Sequence, residues 1–459
     1  MPAMPPALTI VGLGPGDPAL LTLAARDALA AASEVWLRTA RHPAVPDLPP
    51  GPAYRSFDDV YESAETFDAV YETIVARVLD LARRPEGVVY AVPGHPLFGE
   101  ATVRALLTRA PEAGIATRIV PGVSFVDTVS LALGLDPLSD GLLVLDALAL
   151  DPHGRRLMPE RPTVVAQIYD RAAASRAKLA LLEAYPAHHP VRVVSAPSAD
   201  APRVVTTTLA KLDHEDVFDH LATLYLPSVP VAEDVRTFEG LRGIVAQLRA
   251  PEGGCPWDLE QTHETLKRYL LEEAYEAIDA LGAGDPARLA EELGDLLMQV
   301  VLHAQVAEDE GEFVVEDVIG AIAAKLVRRH PHVFGEVEVA GADEVVRNWE
   351  VLKKEERGDA PVLDAVPKAM PALAQAQSVH SRAAKAGLAG AAPSLAPVAH
   401  MLQKLERGER IRGDELGAAL FALAAAARAN ELDAEESLRL EIRRFREDVA
   451  RREQARASA

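Results

Sequence analysis

The chain has 459 residues, of which 49% are hydrophobic and 25% are charged, and its formal net charge is -22 at pH 7. This length exceeds one ordinary hydrophobic core, so we expect two or three domains. The acidic balance excludes nucleic acid as a bulk partner because its phosphate backbone would be repelled, whereas a nucleotide neutralised by a metal and local cations stays compatible with it.

Cysteine usage and hydropathy narrow the class of protein further. The single cysteine, Cys255, excludes an internal disulfide and a multi-cysteine zinc site. The chain opens without a signal-peptide pattern, and no apolar run is long enough to cross a membrane. We therefore expect a cytoplasmic protein with no membrane partner.

The first half of the chain alternates short β-like runs with helical stretches, which is typical of an α/β domain. The predicted strands are residues 8–12, 34–37, 87–92, 117–120, 141–146, 163–167, 191–195 and 221–226. After about residue 230 helical periodicity dominates and strand candidates end. We therefore predict an α/β domain over 1–228, an all-α domain over 229–360, and a third helical region over 361–459.

Three turns rich in glycine or proline follow predicted strands of the α/β domain. Their candidate ligand-binding residues are Gly12, Gly14, Gly16, Gly94, His95, Pro96, Gly122 and Ser124. Glycine lets backbone amides approach a ligand closely, and such turns gather at the carboxyl ends of strands in an open α/β sheet. The first turn is not the dinucleotide-binding fingerprint, because Pro15 and Asp17 interrupt its spacing.

These turns, in this order and at these separations, resemble the tetrapyrrole methylase family of S-adenosylmethionine-dependent enzymes over about residues 7–228. The resemblance implies two α/β subdomains with S-adenosylmethionine held in the cleft between them, beside the three turns. His95 stands where the family usually has Asp, and this departure implies an altered cofactor pocket. No motif specifies a tetrapyrrole substrate, and a retained fold without catalysis stays an equal alternative.

The helical half carries two pairs of carboxylates at helical spacing. Glu273 and Glu276 form one pair, and Glu292 and Asp295 the other. A short glycine-containing link, residues 282–286, predicts a helical hairpin that gathers all four carboxylates. Core residues should flank them, among them Leu271, Ile278, Leu293, Leu297 and Val300. Four like charges gather only if they protonate or bind a cation, and a hard divalent ion such as Mg²⁺ suits oxygen ligands. The alternative is a solvated acidic face, which two adjacent pairs make less favourable.

Basic residues follow on the C-terminal side of the carboxylates. Lys325, Arg328 and Arg329 share a helical face, and Lys353 lies one turn beyond Trp349. In a chain this acidic, cations near a carboxylate cluster favour phosphate binding, although a solvated basic face is their usual meaning. Trp349 is equally consistent with stacking on a base and with ordinary packing.

The helical motifs together resemble the MazG family of nucleoside triphosphate pyrophosphohydrolases over about residues 238–358. They are CPWD, QTH, EExxE, ExxD, KxxRRHPHVF and NWExxK, in the family's order. The resemblance implies an all-α fold that forms a homodimer or higher homo-oligomer around a nucleoside triphosphate. The fusion to a methylase-like domain resembles YabN-type proteins. Residues 415–428 echo residues 292–305, with Ala418 in place of Asp295, so we expect residues 361–459 to be a degenerate MazG-like region.

The resemblance also implies roles for individual residues. Glu273, Glu276, Glu292 and Asp295 would bind Mg²⁺, and Glu272 or Glu276 would take a proton from water. Lys325, Arg329 and Lys353 would contact the triphosphate, with Arg328 beside them, and Trp349 would lie near the base or ribose. The implied reaction is NTP + H₂O → NMP + pyrophosphate. The rival hypotheses are a methyltransferase with a regulatory or dimerising helical domain, and a nucleotide-binding adaptor with little turnover.

Overall fold

The computed structural model describes residues 7–63, 66–151, 153, 157–196, 198, 202–357, 360–390 and 393–457. The chain divides into two compact units, Met1–Ile319 and Gly320–Ala459. The first unit contains two β-sheets and a helical hairpin, and the second consists of helices. The boundaries expected after residues 228 and 360 stay predictions.

The first sheet is parallel, with strand order β3-β2-β4-β1-β5. Its strands are β1 (Leu8–Gly12), β2 (Glu34–Leu37), β3 (Ala53–Ser56), β4 (Val88–Val92) and β5 (Thr117–Val120). The helices of this half are α1 (Leu23–Ala30), α2 (Asp58–Ser63), α3 (Phe67–Ala82) and α4 (Ala101–Glu112). Strands β1 and β4 are buried on both faces because helices cover both sides of a parallel sheet.

The second sheet is mixed, with strand order β6-β7-β10-β8-β9. Its strands are β6 (Leu143–Asp146), β7 (Thr163–Ala166), β8 (Pro190–Ser195), β9 (Arg203–Thr208) and β10 (Thr223–Leu226). Helix α5 (Phe125–Leu133) precedes it, and α6 (Arg171–Leu181) packs on it through Ala174, Ala177 and Leu181, which are buried in one cluster with the strand residues Val193 and Leu224. The α/β half therefore has two sheets, each with its own core.

Two strands, β3 and β9, are absent from the sequence prediction. Both lie at a sheet edge, and most of their residues are exposed or half-buried. An edge strand that buries little apolar surface lacks the hydrophobic run by which a strand is recognised. Each predicted strand is present, with bounds within two residues of the prediction.

Within the described residues, all regular structure after β10 is helical. The α-helices are α7 (Phe238–Leu248), α8 (Pro256–Leu259), α9 (His263–Ala283), α10 (Pro286–Glu310), α11 (Val315–Arg329), α12 (Pro331–Phe334), α13 (Ala342–Arg357), α14 (Ala372–Lys385), α15 (Ala396–Glu406), α16 (Gly413–Ala429) and α17 (Ala434–Ala457). The predicted fold class, a two-subdomain α/β domain followed by all-α regions, is confirmed. In the part of the chain that the structure describes, no helix is both long and apolar enough to span a membrane.

Candidate active site

The turn between α9 and α10 creates the predicted helical hairpin. Helix α9 ends at Ala283, and the C-cap residue Gly284 adopts the left-handed conformation with φ +68°. Asp285 then caps α10, and its Oδ1 accepts hydrogen bonds from the backbone N–H groups of Ala287 at 3.0 Å and Arg288 at 3.3 Å. A left-handed glycine followed at once by an N-cap reverses the chain within two residues.

The two helices of this hairpin run antiparallel. Near its open end, Nδ1 of His263 lies 2.8 Å from Nδ1 of His303. Nearer the turn, Glu273 lies beside Glu292. The buried side chains Leu266, Val301 and Leu302 pack in one cluster with Val245 of α7. This packing aligns the carboxylates of α9 with those of α10.

Three of the predicted carboxylates meet across the hairpin. Glu273, Glu292 and Asp295 each offer one oxygen, and these oxygens lie within 4.8 Å of one another. Burial raises the pKa of Glu273 most, and the charge of Asp295 and then that of Glu276 raise it further. Glu276 also hydrogen bonds with Glu273, and the exposed Glu272 adds repulsion. The structure therefore gathers the acidic residues that the spacing predicted.

This set of oxygen donors fits a hard divalent cation such as Mg²⁺. Carboxylate oxygens are the ligands that Mg²⁺ prefers, and a cation at their centre would relieve the repulsion that raises the pKa of Glu273. Glu292 has one oxygen already engaged, because its Oε1 lies 3.2 Å from Nε of Arg288. The geometry fits Glu273, Glu292 and Asp295 as ligands, with Glu276 beside them.

The apolar side chains next to the carboxylates are more exposed than the sequence suggested. They are Leu271 at 48%, Ile278 at 45%, Leu293 at 48%, Leu297 at 43% and Val300 at 38% exposure. The expectation that they flank the carboxylates as core residues is wrong for a single chain. One face of the hairpin packs within the chain, and the other presents these side chains outward because the described residues of this unit leave it largely uncovered.

The predicted phosphate-binding residues belong to the second unit, at the end of α11 and along α13. Arg328 Nη2 lies 2.8 Å from Glu356 Oε1, and Arg329 Nη2 lies 2.5 Å from Glu356 Oε2. Hydrogen bonds from Arg329, and then from Arg328, lower the pKa of Glu356 to about 2. One carboxylate thus holds two arginines side by side, and Lys325 lies exposed one turn earlier.

Trp349 joins α13 to the end of α11. Its Nε1 donates a hydrogen bond of 2.8 Å to the backbone oxygen of Arg329, and its ring meets that of His330 edge-on at 5.1 Å. Lys353 Nζ lies 5.9 Å from the centre of the Trp349 ring. The structure therefore brings Arg329, Trp349 and Lys353 together. The indole N–H of Trp349 is already engaged in the hydrogen bond to Arg329.

The three glycine-rich turns of the α/β domain pack directly against one another. Gly14 and Gly94 exchange backbone hydrogen bonds of 3.2 and 2.8 Å. A Cβ on Gly12 would lie 2.6 Å from Gly122 N and from Gly94 O, so only glycine fits there. Ser124 caps α5, accepting a hydrogen bond of 3.2 Å from Val126 N–H. The turns predicted to surround a cofactor are therefore brought together.

A cavity of about 570 Å³ lies between the two sheets, and Gly94 and His95 are the predicted cofactor residues that line it. The remaining six, Gly12, Gly14, Gly16, Pro96, Gly122 and Ser124, lie outside its lining. The sequence interpretation missed Arg38 and Glu100, a pair in which the Glu100 side chain is only 3% exposed. Burial raises the pKa of Glu100, and Arg38 opposes that shift.

His42 and Gln167 also line this cavity and were missed. Burial lowers the pKa of His42 to about 4; the Gly14 backbone opposes the shift without reaching hydrogen-bond geometry, and His220 adds to it. Gln167 has φ +66°, a region that side-chain-bearing residues seldom adopt and that often marks functional sites. Its Nε2 lies 3.3 Å from Asp146 Oδ2. No local spacing rule would have revealed either residue.

Two family models match the chain at these two places. Residues 7–213 match the tetrapyrrole (corrin/porphyrin) methylases, and residues 261–334 match the MazG nucleotide pyrophosphohydrolase domain. The second match contains the carboxylates and Lys325, Arg328 and Arg329, while Trp349 and Lys353 follow it. The uncharacterised protein YabN of Bacillus subtilis is 40% identical over 375 residues, which are 80% of this chain and 75% of that protein. The chain belongs to the YabN family.

Other relatives match the helical half. The nucleoside triphosphate pyrophosphohydrolase of Escherichia coli K12 is 48% identical over 147 residues, covering 31% of this chain and 56% of that protein. The nucleoside triphosphate pyrophosphohydrolase/pyrophosphatase MazG of Thermotoga maritima is 37% identical over 223 residues, covering 47% of this chain and 86% of that protein. Both resemblances that the sequence predicted are confirmed, and the chain carries a methylase domain followed by a MazG nucleotide pyrophosphohydrolase domain.

Proposed function

We propose that this YabN-family chain is a Mg²⁺-dependent nucleoside triphosphate pyrophosphohydrolase that serves nucleotide-pool housekeeping. The observation that carries the proposal is the meeting of Glu273, Glu292 and Asp295, whose oxygens lie within 4.8 Å of one another. The MazG match over residues 261–334 and the pyrophosphohydrolase names of the relatives support it.

The proposed reaction is attack of water on the α-phosphorus of the nucleotide. A bond forms between the water oxygen and the α-phosphorus, and the bond to the oxygen that bridges to the β-phosphorus breaks, so pyrophosphate leaves with the electron pair. Glu272 or Glu276, both exposed beside Glu273, takes the proton of the water. Mg²⁺ held by Glu273, Glu292 and Asp295, with Glu276 beside them, would offset phosphate charge and make the water more acidic.

The proposal also assigns a role to the basic residues of the second unit. Lys325, Arg329 and Lys353 offset the negative charge that develops on the departing pyrophosphate. Glu356 holds Arg329 in place, and Trp349 fixes the backbone at the same residue. The centre of the Trp349 ring lies 5.9 Å from Lys353 Nζ. In this proposal the ring lies near the base or ribose of the nucleotide.

We infer that the working form is a homodimer or higher homo-oligomer. Leu271, Leu293 and Leu297 lie on the hairpin that carries the carboxylates, and each is more than two-fifths exposed. A second copy of the same hairpin would remove this apolar face from water, and homo-oligomers commonly use one self-complementary patch. The nucleotide would then be enclosed by helices of both copies.

Product analysis tests the proposed reaction. The full chain is incubated with Mg²⁺ and a panel of nucleoside triphosphates, and NMP and pyrophosphate are identified by chromatography. Glu276→Gln and Asp295→Asn should each lower pyrophosphate release on the order of a hundredfold or more while circular dichroism stays unchanged. Glu291→Gln, an exposed neighbour on α10, is the matched control and should keep full activity. Near-normal turnover in both site variants would overturn the assignment.

A second candidate function concerns the α/β domain. The cavity of about 570 Å³ beside the glycine turns, together with the methylase match, supports binding of S-adenosylmethionine there and a methyltransferase activity. Isothermal titration with S-adenosylmethionine tests it. Binding that Gln167→Ala weakens would support the proposal, and absence of heat with correctly folded protein would contradict it.

A further inference from the structure

The second unit contains a cavity of its own, of about 1140 Å³. Its charged lining is mostly cationic: Arg329, Lys353, Arg382, Lys385 and Arg428. Asp433 is the one acidic residue among the described lining residues, and its Oδ1 is occupied as it accepts a hydrogen bond of 2.9 Å from the backbone N–H of Glu436. A cationic cavity in a chain of net charge -22 is an exception to the overall composition.

The cations reach this cavity from four different helices. Arg329 is the last residue of α11, Lys353 lies in α13, Arg382 and Lys385 lie in the last turn of α14, and Arg428 lies in the last turn of α16. A cation in a last turn is often explained by the negative end of its own helix. That explanation covers Arg329, Lys385 and Arg428, each on its own helix, but it does not account for the convergence of cations from four helices on one cavity.

Two of these arginines have no partner among the described residues. The Arg382 and Arg428 side chains form no ion pair or hydrogen bond with the residues that the structure describes, and Arg382 is half-buried. A partly buried guanidinium without a counter-charge is unfavourable unless something else supplies that charge. Ser378 and Ser381, on the same helix as Arg382, add hydroxyl groups to the lining.

A buried glutamine holds this wall of the cavity in place. Gln377 of α14 donates from Nε2 to the backbone oxygen of Leu432 at 2.9 Å, and its Oε1 accepts from Ala434 N–H at 3.2 Å. These two bonds tie α14 to the turn between α16 and α17. Arg382 and Arg428 therefore stand on elements that are fixed relative to each other, which lowers the entropic cost of binding a ligand between them.

We propose that this cavity binds the phosphate chain of a nucleoside triphosphate, with Arg382, Lys385 and Arg428 as additional phosphate-binding residues. The inference rests on the proposed function, because it takes a nucleotide as the ligand. It deepens that function by giving the C-terminal helices α14 and α16 a part in substrate binding. A triphosphate carries several negative charges on oxygens that guanidinium groups bind in a bidentate manner. The cavity volume of about 1140 Å³ accommodates such a ligand.

Titration with inorganic tripolyphosphate in EDTA tests the cavity separately from the carboxylates. Without a metal the carboxylate cluster repels a polyanion, so binding reports the cations. The full chain should bind tripolyphosphate, and Arg382→Gln and Arg428→Gln should each weaken binding about tenfold. Arg444→Gln is the matched control, because Arg444 lies on α17, is exposed and pairs with Glu441 at 3.5 Å. Circular dichroism of each variant verifies the fold.

The outcomes separate this inference from the proposed hydrolase activity. Unchanged tripolyphosphate affinity in both arginine variants, or no binding by the wild-type chain, overturns the cavity assignment even if NMP and pyrophosphate are formed. Tripolyphosphate binding that depends on the arginines, without any NMP formation, supports the cavity assignment and overturns the proposed hydrolase activity. A nucleotide analogue with an α,β-methylene bridge should displace tripolyphosphate; failure to displace it overturns the nucleotide as the ligand.

Discussion

Glu273 of α9 and Asp295 of α10 face each other across the helical hairpin, and after burial the charge of Asp295 is the largest contribution to the raised pKa of Glu273. The two carboxylates repel each other in the metal-free chain. Their repulsion lowers the stability of the metal-free chain, and it also favours binding of a cation between them. The stability of the chain should therefore depend on both pH and metal binding through this pair.

We expect the metal-free chain to be stabilised by mild acid through Glu273. The folded-state pKa of Glu273 is raised, so the folded chain holds this proton more tightly than the unfolded chain does. The resulting gain in the free energy of unfolding is fully present below the ordinary pKa of a glutamate, and it is lost as pH rises through the raised value. Asp295→Asn should therefore flatten the pH dependence of the melting temperature in EDTA. Thermal melts at a series of pH values measure this, and a wild-type profile that matches Asp295→Asn contradicts it.

Mg²⁺ should stabilise the wild-type chain more than the Asp295→Asn variant. A ligand present at about a hundredfold excess over its Kd adds about 2.7 kcal/mol to the free energy of unfolding. The variant has lost one of three clustered oxygens and should gain much less. Differential scanning calorimetry with and without Mg²⁺ makes the comparison. An equal gain in both proteins would show that the cation binds elsewhere.

Trp349→Phe should loosen the end of α11. The change removes the indole N–H that donates to the backbone oxygen of Arg329 at 2.8 Å, and the loss of such a bond costs about 1 kcal/mol. We expect a lower urea midpoint and a severalfold higher KM for nucleoside triphosphate, because Arg329 is held less firmly. Trp257→Phe makes the same chemical change at a half-exposed tryptophan and serves as control. Unchanged midpoint and KM in Trp349→Phe would contradict a positioning role.

Leu293→Ser should shift the chain toward the monomer. Leu293 is 48% exposed on α10, two residues before Asp295, so a serine there weakens an apolar contact between copies. Light scattering coupled to size-exclusion chromatography measures the molar mass. Leu179→Ser alters a leucine that is 61% exposed in the α/β domain and should leave the mass unchanged. A wild-type chain that is monomeric at all concentrations would refute the homo-oligomer.

Gly12→Ala should disrupt the contact between the glycine turns. The added Cβ would meet Gly122 N and Gly94 O at 2.6 Å, both of them backbone atoms that cannot swing aside. Such overpacking costs about 1–3 kcal/mol, and we expect S-adenosylmethionine binding to weaken with it. Gly320→Ala has open space around its Cβ position within α11 and should raise helix stability by about 0.5–1 kcal/mol. Wild-type stability in Gly12→Ala would contradict the close packing.

The parts of the fold that follow from local patterns were predictable. Strands β1 and β4 are continuous apolar runs because both of their faces are buried, and the α9–α10 hairpin follows from a glycine–aspartate–proline link between amphipathic segments. Edge strands β3 and β9 escaped because they bury too little apolar surface to leave a pattern. The carboxylate cluster was predictable for a related reason, since helical spacing and a tight turn together specify which side chains meet.

Residues brought together from distant segments were not predictable. Arg38 and Glu100 are 62 positions apart, and Arg382 and Arg428 come from different helices of the region expected to be a degenerate copy. Neither a buried ion pair nor a cationic cavity leaves a recognisable spacing of residues along the chain, because both depend on how sheets and helices pack. The exposure of the apolar face of the hairpin was not predictable for the same reason. Amphipathic periodicity identifies Leu293 and Leu297 as positions on an apolar helix face, but it does not specify which surface covers that face.

The amino-acid sequence alone therefore specifies the two domain families, the paired carboxylates and the reaction class that they imply, because these rest on residues close together in the chain. Tertiary structure decides which carboxylate oxygens converge, which side chains line the cavity between the sheets, and that cations from four helices meet in the second unit. Those arrangements depend on long-range packing, which spacing along a chain does not encode.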